Sequence, residues 1–213
     1  MSSDYDRECL GIDLGIKDLA IFSNGEHHRN INKDKEIKRL TKRLKRLQRQ
    51  ISRKYEANVS YNSKGKKIYH KTNNIKKLER QTKLIHRRIA NIRETYLHEV
   101  VKSVMKTKSQ TIILEDLNIK GMMQNPKLAK AIQDEKLYEF RRIMTYKCKQ
   151  NNIDLVVADR WFPSSKRCSC CGEIKHNLTL NDRTFKCDYC GFSMDRDENG
   201  AANLELYPKI IVA

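Results

Sequence analysis

Long apolar runs are missing from this 213-residue chain. No stretch approaches the roughly 18 apolar residues that a membrane-crossing helix requires. The N-terminal MSSDYDRECLGIDLGI has no basic region followed by an apolar one, which argues against secretion. A lysine-bearing glycine-rich phosphate loop, an HExxH sequence and a Ser-His-Asp arrangement are also lacking, so no familiar nucleotide or protease chemistry competes for the site. No domain-scale repeat occurs. Acidic residues are scarce: 26 Asp and Glu stand against 44 Lys and Arg, a net charge of +18. That excess exceeds what solubility needs and points to a polyanionic partner, with nucleic acid favoured over a membrane surface.

The seven cysteines are odd in number, and five crowd between 168 and 190. A secreted disulfide scaffold spreads an even set through a small chain. The crowding reads instead as a metal site in a reducing cytoplasm. Cys168-Ser-Cys-Cys171 and Cys187-Asp-Tyr-Cys190 form a pair of CxxC knuckles, each followed by a glycine at 172 or 191. Four thiolates close a tetrahedral zinc shell with no open position, so Cys168, Cys171, Cys187 and Cys190 are expected to hold a structural ion. Cys170 is a spare within the first knuckle, to which the register could slip. Cys9 and Cys148 read as small core residues.

Hydrophobic patterning predicts two antiparallel strands before the Asn24-Gly25 turn, with Asp13 near the end of the first. From Lys33 to Lys54, apolar residues fall at Ile37, Leu40, Leu44, Leu47 and Ile51, the 3-4 alternation of a heptad seam. A second seam runs through Ile75, Leu78, Thr82, Ile85, Ile89 and Ile92, beyond a polar loop from Asn58 to Asn74. The pair predicts an antiparallel helical hairpin. Lys42, Arg43, Lys45, Arg46 and Arg49 lie on its outward face. Charge runs usually form only a solvated surface. Here Asp34 and Glu36 are the only acids between 33 and 54, which favours a phosphate-tracking face. Thr111 to Asp116 and Ile153 to Ala158 read as strands, Lys127 to Gln150 as a helix, and a closing helix starts near Asp197. Strands alternating with helices give an α/β sandwich.

Asp13, Glu115 and Asp197 stand at the ends of elements. Each alone is an ordinary turn former or cap. Together, strand-end carboxylates from distant segments can converge above a sheet, where hard oxygen ligands suit Mg²⁺ or Mn²⁺ and phosphodiester cleavage.

IDLGIKDLA, IILEDLNIKGM, DRWFPSSKRCSCCG, FKCDYCG and DRDENGAANLEL occur here in the order found in the TnpB/OrfB proteins of insertion sequences, which the chain resembles over nearly its whole length. The resemblance implies a RuvC-type nuclease of RNase H-like fold, related to type V CRISPR effectors. In it a mixed sheet carries an inserted helical hairpin and an inserted zinc ribbon. It assigns Asp13, Glu115 and Asp197 as the catalytic, magnesium-binding acids, with Asp195 the runner-up for the third. It divides the chain into RuvC segments 1–32, 108–163 and 195–213, a hairpin at 33–107 and a ribbon at 164–194. It adds Ser164, Ser165 and Lys166 to the nucleic-acid contacts. DNA is the expected partner, and a guide RNA joins it where the family's N-terminal region is supplied. Only twelve residues precede Asp13, so the chain is expected to be a truncated product, an isolated domain or a minimal relative. Two other functions compete. An actin-like ATPase shares the IDLG opening but needs a second domain and phosphate loop, for which there is no room. A non-cleaving nucleic-acid-binding remnant or repressor would use only the ribbon and the basic hairpin.

Overall fold

The computed structural model describes residues 6–179 and 181–212; the first five residues, on which part of the leader reading rests, lie outside them. In chain order the elements are β1 (Arg7–Leu14), β2 (Asp18–Phe22), β3 (His27–Arg29), a 3₁₀ turn (Ile31–Lys33), α1 (Lys35–Ala57), β4 (Val59–Tyr61), β5 (Lys67–Tyr69) and α2 (Asn73–Lys106). There follow β6 (Ser109–Leu114), α3 (Ile119–Met123), α4 (Pro126–Glu135), α5 (Leu137–Gln150), β7 (Asp154–Val157), β8 (Thr184–Lys186), β9 (Ser193–Asp195) and α6 (Arg196–Val212). They form two units, one of residues 31–96 and one of the remainder. No helix among the described residues is long and apolar enough to cross a membrane.

The larger unit is built on a five-stranded mixed sheet in the order β3-β2-β1-β6-β7. β1 pairs with β2 antiparallel and with β6 parallel, and β7 continues the parallel half. Parallel strands need both faces covered. Here Leu10, Ile12, Leu14, Ile112, Ile113 and Leu114 are all buried, which explains the continuous apolar runs in these strands. Side chains alternate across a strand, so Cys9, Gly11 and Asp13 share one face of β1. α6 lies on that face, where Leu204 and Tyr207 pack with Cys9, Ile113 and Ala158. A glycine inside a strand often marks close backbone approach. Gly11 is such a place: an added Cβ would stand 2.1 Å from the Ala201 carbonyl oxygen and 2.4 Å from the Glu205 nitrogen. Arg7 locks the same contact with a two-pronged bond to Glu205, at 2.7 and 2.9 Å from one nitrogen.

The smaller unit is the helical hairpin. Leu40, Leu44 and Leu47 of α1 pack against Ile85 and Ile89 of α2, with Leu78 and Ile92 at the margin, as the two seams require. The segment expected to be a polar loop folds instead into the antiparallel pair β4–β5. Its tip is organised by Asn62, whose Oδ1 accepts from the Lys64 and Lys66 nitrogens, with Gly65 at φ +72°. The polar composition hid three-residue strands that have no buried face. Two further expectations change. The opening sheet edge has a third strand, β3. The helix expected over 127–150 is broken at Lys136, whose left-handed backbone (φ 55°) ends α4 and starts α5, so that both Ile132 and Leu137 turn inward.

Candidate acidic centre and cysteine knuckles

Register brings the first two acids together. β1 and β6 pair in parallel through Ile12 and Leu114, and one further step along both strands sets Asp13 beside Glu115. Both then face α6, on the same side of the sheet as Gly11 and Ile113. The two carboxyl groups hydrogen-bond to each other. Burial, followed by the charges of Glu115 and Asp197, pushes the Asp13 carboxyl well above the usual carboxylate range. Burial likewise raises Glu115. Two carboxylates in contact cannot both be ionised without a nearby cation. A shared proton or a divalent metal satisfies them, and hard oxygen donors of this kind fit Mg²⁺ or Mn²⁺.

The third acid comes from the first turn of α6. Its charge reaches both Asp13 and Glu115. The three carboxylates nevertheless do not close to the 4.8 Å mutual spacing that the four sulfurs reach. Asp197, only 17% exposed at its side chain, is gripped by Arg196 at 2.8 Å and approached by Arg183 at 3.9 Å. Asp195 does different work. Its Oδ1 accepts from the Asp197 nitrogen at 2.8 Å and the Glu198 nitrogen at 3.4 Å, so it caps α6. Gly200, one turn on, lies beside the Asp13 carboxyl: a Cβ there would sit 3.7 Å from its Cγ. At the rim, Asp116 bridges Arg141 (3.0 Å) and Arg160 (2.7 Å), which hold its carboxyl below the usual range against the opposing effect of desolvation.

The knuckles are near-copies. In the first, the Gly172 nitrogen bonds to the Cys168 carbonyl and the Cys168 nitrogen to that of Glu173; in the second, Gly191 and Cys187 do the same with Cys187 and Phe192. Gly172 (φ 83°) and Gly191 (φ 74°) supply the left-handed turns. The Sγ atoms of Cys168, Cys171, Cys187 and Cys190 all lie within 4.8 Å of one another, with Cys168–Cys190 at 3.7 Å and Cys171–Cys187 at 3.6 Å. Tetrahedral Zn–S bonds of about 2.3 Å demand S···S separations of about 3.8 Å. The set fits zinc. Backbone donors, the Cys190 N–H foremost, draw the Cys187 thiol down to about 7, whereas Cys171 and Cys190 in the same cluster are raised, as crowded thiols without a cation must be. Cys170 is exposed and outside the set, whereas Cys9 and Cys148 are buried.

Two asparagines that the sequence did not single out join the knuckle to the acids. Asn199 donates to the Arg167 carbonyl (2.7 Å) and accepts from the Ser169 nitrogen (3.1 Å). Asn203 donates to the carbonyls of Arg167 (2.6 Å) and Ser164 (2.9 Å). Both are fully buried, four residues apart on α6, and that i,i+4 spacing was the available signal. Ser164, expected to touch nucleic acid, is 3% exposed in the free chain and lies beneath α6, its carbonyl accepting from Asn203. Ser165 is half-buried and Lys166 exposed. Lys42, Arg43, Lys45, Arg46 and Arg49 are exposed along α1.

A family model described as "Probable transposase", OrfB_IS605, matches residues 5–126, more than half of the chain. The chain belongs to the TnpB/OrfB family. A second model, "Cas12f1-like, TNB domain", covers residues 138–204 of this family member. A Streptomyces pristinaespiralis protein named "Putative RNA-guided DNA endonuclease" is 39% identical over 195 residues, covering 92% of this chain and 44% of that protein. InsQ of Escherichia coli K12 is 30% identical, with 92% and 48% covered. The CRISPR-associated endodeoxyribonuclease Cas12f1 of Sulfoacidibacillus thermotolerans is 26% identical, with 92% and 45% covered. The TnpB/OrfB chain thus spans under half the length of these curated relatives. Among solved structures, a cryo-EM Cas12f1–sgRNA–target DNA complex superposes with a TM-score of 0.59 at 18% identity, covering 92% of this chain and 49% of the other. A CRISPR-Cas12f ternary complex gives 0.64 at 20% identity, with 96% and 40% covered. At such identities the likeness speaks to the fold.

Proposed function

We propose that the chain carries the nuclease centre of a transposon-associated, RNA-guided-type DNA endonuclease, with a RuvC-like active site on an RNase H-like sheet. The contact between the Asp13 and Glu115 carboxyls at the C-terminal ends of two parallel strands is the observation that carries this reading. The names of the relatives support it. Asp13, Glu115 and Asp197 would hold Mg²⁺ or Mn²⁺, and the bound metal supplies the charge that activates water and steadies the leaving 3′-oxygen. Within the chain, β1 and β6 hold Asp13 and Glu115 side by side, and Arg196 holds the carboxyl of Asp197, whose charge reaches both. Partial burial of the three acids weakens screening by bulk water. The exposed residues Lys42, Arg43, Lys45, Arg46 and Arg49 track phosphates, and Ser165 and Lys166 add contacts near the knuckle. Zinc in the four cysteines is structural, and the unpaired thiols suit the cytoplasm.

Single-stranded DNA incubated with the purified chain and Mg²⁺ tests this. Alanine at Asp13 or Glu115 should abolish cleavage and leave binding nearly intact, because binding rests on the basic surface. Cleavage that persists in both variants refutes the assignment. Binding with no cleavage, unchanged after adding the remaining region of a full-length relative and its RNA, would establish the non-cleaving reading instead.

A further inference from the structure

The chain has one tryptophan, and it is 86% exposed. Trp161 lies in the loop that leaves β7, the strand parallel to β6 and adjacent to it, so the loop emerges at the sheet edge where Glu115 stands. The backbone there is pinned. The Trp161 nitrogen donates to Asp159 Oδ1 at 2.8 Å, and the Asp159 nitrogen donates to the Tyr207 hydroxyl of α6 at 3.0 Å. The next residue, Phe162, turns inward and meets the Tyr207 ring edge-on at 4.9 Å. The preceding residue, Arg160, is tied at 2.7 Å to Asp116, the immediate neighbour of Glu115. A large apolar ring is thus held out to solvent by a pinned loop, whose Arg160 is ion-paired to the chain neighbour of Glu115. Arg160, its chain neighbour, is more than two-fifths exposed, and with Arg141 it leaves a net positive charge around Asp116.

Exposed indoles are uncommon because burial of so large a ring is favourable. A bare aromatic on a pinned backbone, next in the chain to an arginine, suits stacking on nucleobases without reading their identity. Within a duplex the base faces are already occupied by their neighbours; an unpaired strand leaves them available. We infer that Trp161 is a stacking platform that seats a single-stranded DNA substrate beside the Asp13–Glu115 pair. This inference rests on the nuclease reading for its location, but its test does not.

Because Trp161 is the only indole, its fluorescence reports the contact directly. The full chain carrying Asp13→Asn, which prevents substrate loss, is titrated with a single-stranded oligonucleotide, and binding is followed independently by anisotropy of a labelled strand. Quenching of Trp161 should track the anisotropy. Trp161→Ala and Trp161→Leu should weaken binding roughly 5- to 150-fold, whereas Trp161→Tyr should keep most of the affinity, since only aromatic replacements preserve stacking. Zinc content and melting temperature should be unchanged, as expected of an exposed side chain. Binding without quenching, equal affinity of the leucine and tyrosine variants, or equal quenching by duplex DNA or by RNA alone each overturns the inference. None of these bears on whether wild-type chain cuts DNA, so the two readings fail separately.

Discussion

Replacing Gly11 with alanine probes the seat of α6 on β1. The new methyl carbon would stand 2.1 Å from the Ala201 carbonyl oxygen and 2.4 Å from the Glu205 nitrogen, both backbone atoms with no rotamer to escape into. Restoring an ordinary contact of 3.4 Å from 2.1 Å moves the helix off the strand by about 1.3 Å. Overpacking of this kind costs about 1–3 kcal/mol, and a backbone-to-backbone clash belongs at or above the top of that range. For a chain of this size, about 3 kcal/mol lowers Tm by about 6–12 °C. The shift also separates Asp197, on α6, from Asp13, on β1, and a misplacement of about 1 Å is worth roughly 100-fold in rate. Thermal melts followed by circular dichroism give the first number, and metal-dependent cleavage of single-stranded DNA the second. Gly65→Ala at the β4–β5 tip is the control: it meets open space and incurs only the left-handed backbone cost of about 1–2 kcal/mol. A Gly11→Ala protein that melts within about 2 °C of the parent would show that α6 does not rest on the β1 backbone, and the placement of Asp197 would fall with it.

Serine at Cys187 should release the ion from a chain that otherwise carries about one zinc, while serine at Cys148 should leave it bound; elemental analysis after reducing, chelator-free purification reads both. Amide exchange at the start of α6 should quicken in the zinc-free form, because Asn199 and Asn203 anchor there on Arg167. Asp13 and Glu115 are raised above their unfolded values, so their contribution to the cation-free fold is present in acid and is lost as pH rises through those raised values. Melts of the zinc-loaded chain without added Mg²⁺ from about pH 5 to about pH 8 should therefore show declining Tm. Mg²⁺ should restore it at the alkaline end, and Asp13→Asn should flatten both effects; a metal response unchanged by that substitution would place the cation elsewhere. Glutamine at Lys42, Arg43, Lys45 and Arg46 should flatten the dependence of log K on log salt by up to about 3, and an unaltered slope would reduce this face to a solvated one.

Periodicity made the hairpin seams legible because each buries a single continuous stripe, and Leu40 to Ile51 can do nothing else in a helix. The cysteine spacing was legible for a similar reason: a CxxC turn and its glycine are local geometry. Asp13 and Glu115 could be marked as strand ends, but their contact depends on the β1–β6 register, which no local pattern states. β4 and β5 escaped notice because a three-residue strand without a buried face has no alternation to read. The Arg183–Asp197 and Arg160–Asp116 pairs, and the burial of Ser164, depend on partners 14 to 44 residues distant (183 to 197, 116 to 160, 164 to 203), beyond the reach of any window. Asp195 is the runner-up to Asp197 in DRDENG by resemblance alone; its cap hydrogen bonds give it a task of its own.

The parallel pairing of β1 with β6 has a kinetic consequence. Neither acid has a partner until strands whose key residues are 102 positions apart have met, and α6 must then settle over both. Loop closure on that scale is slow compared with the zipping of α1 against α2, whose contacts lie close in sequence. The helical unit should therefore protect its amides from exchange early in refolding, and the acid pair should appear last, with the sheet. A folding chain or nascent polypeptide would thus pass through a stage in which the basic helical surface is formed and the acid pair is still absent.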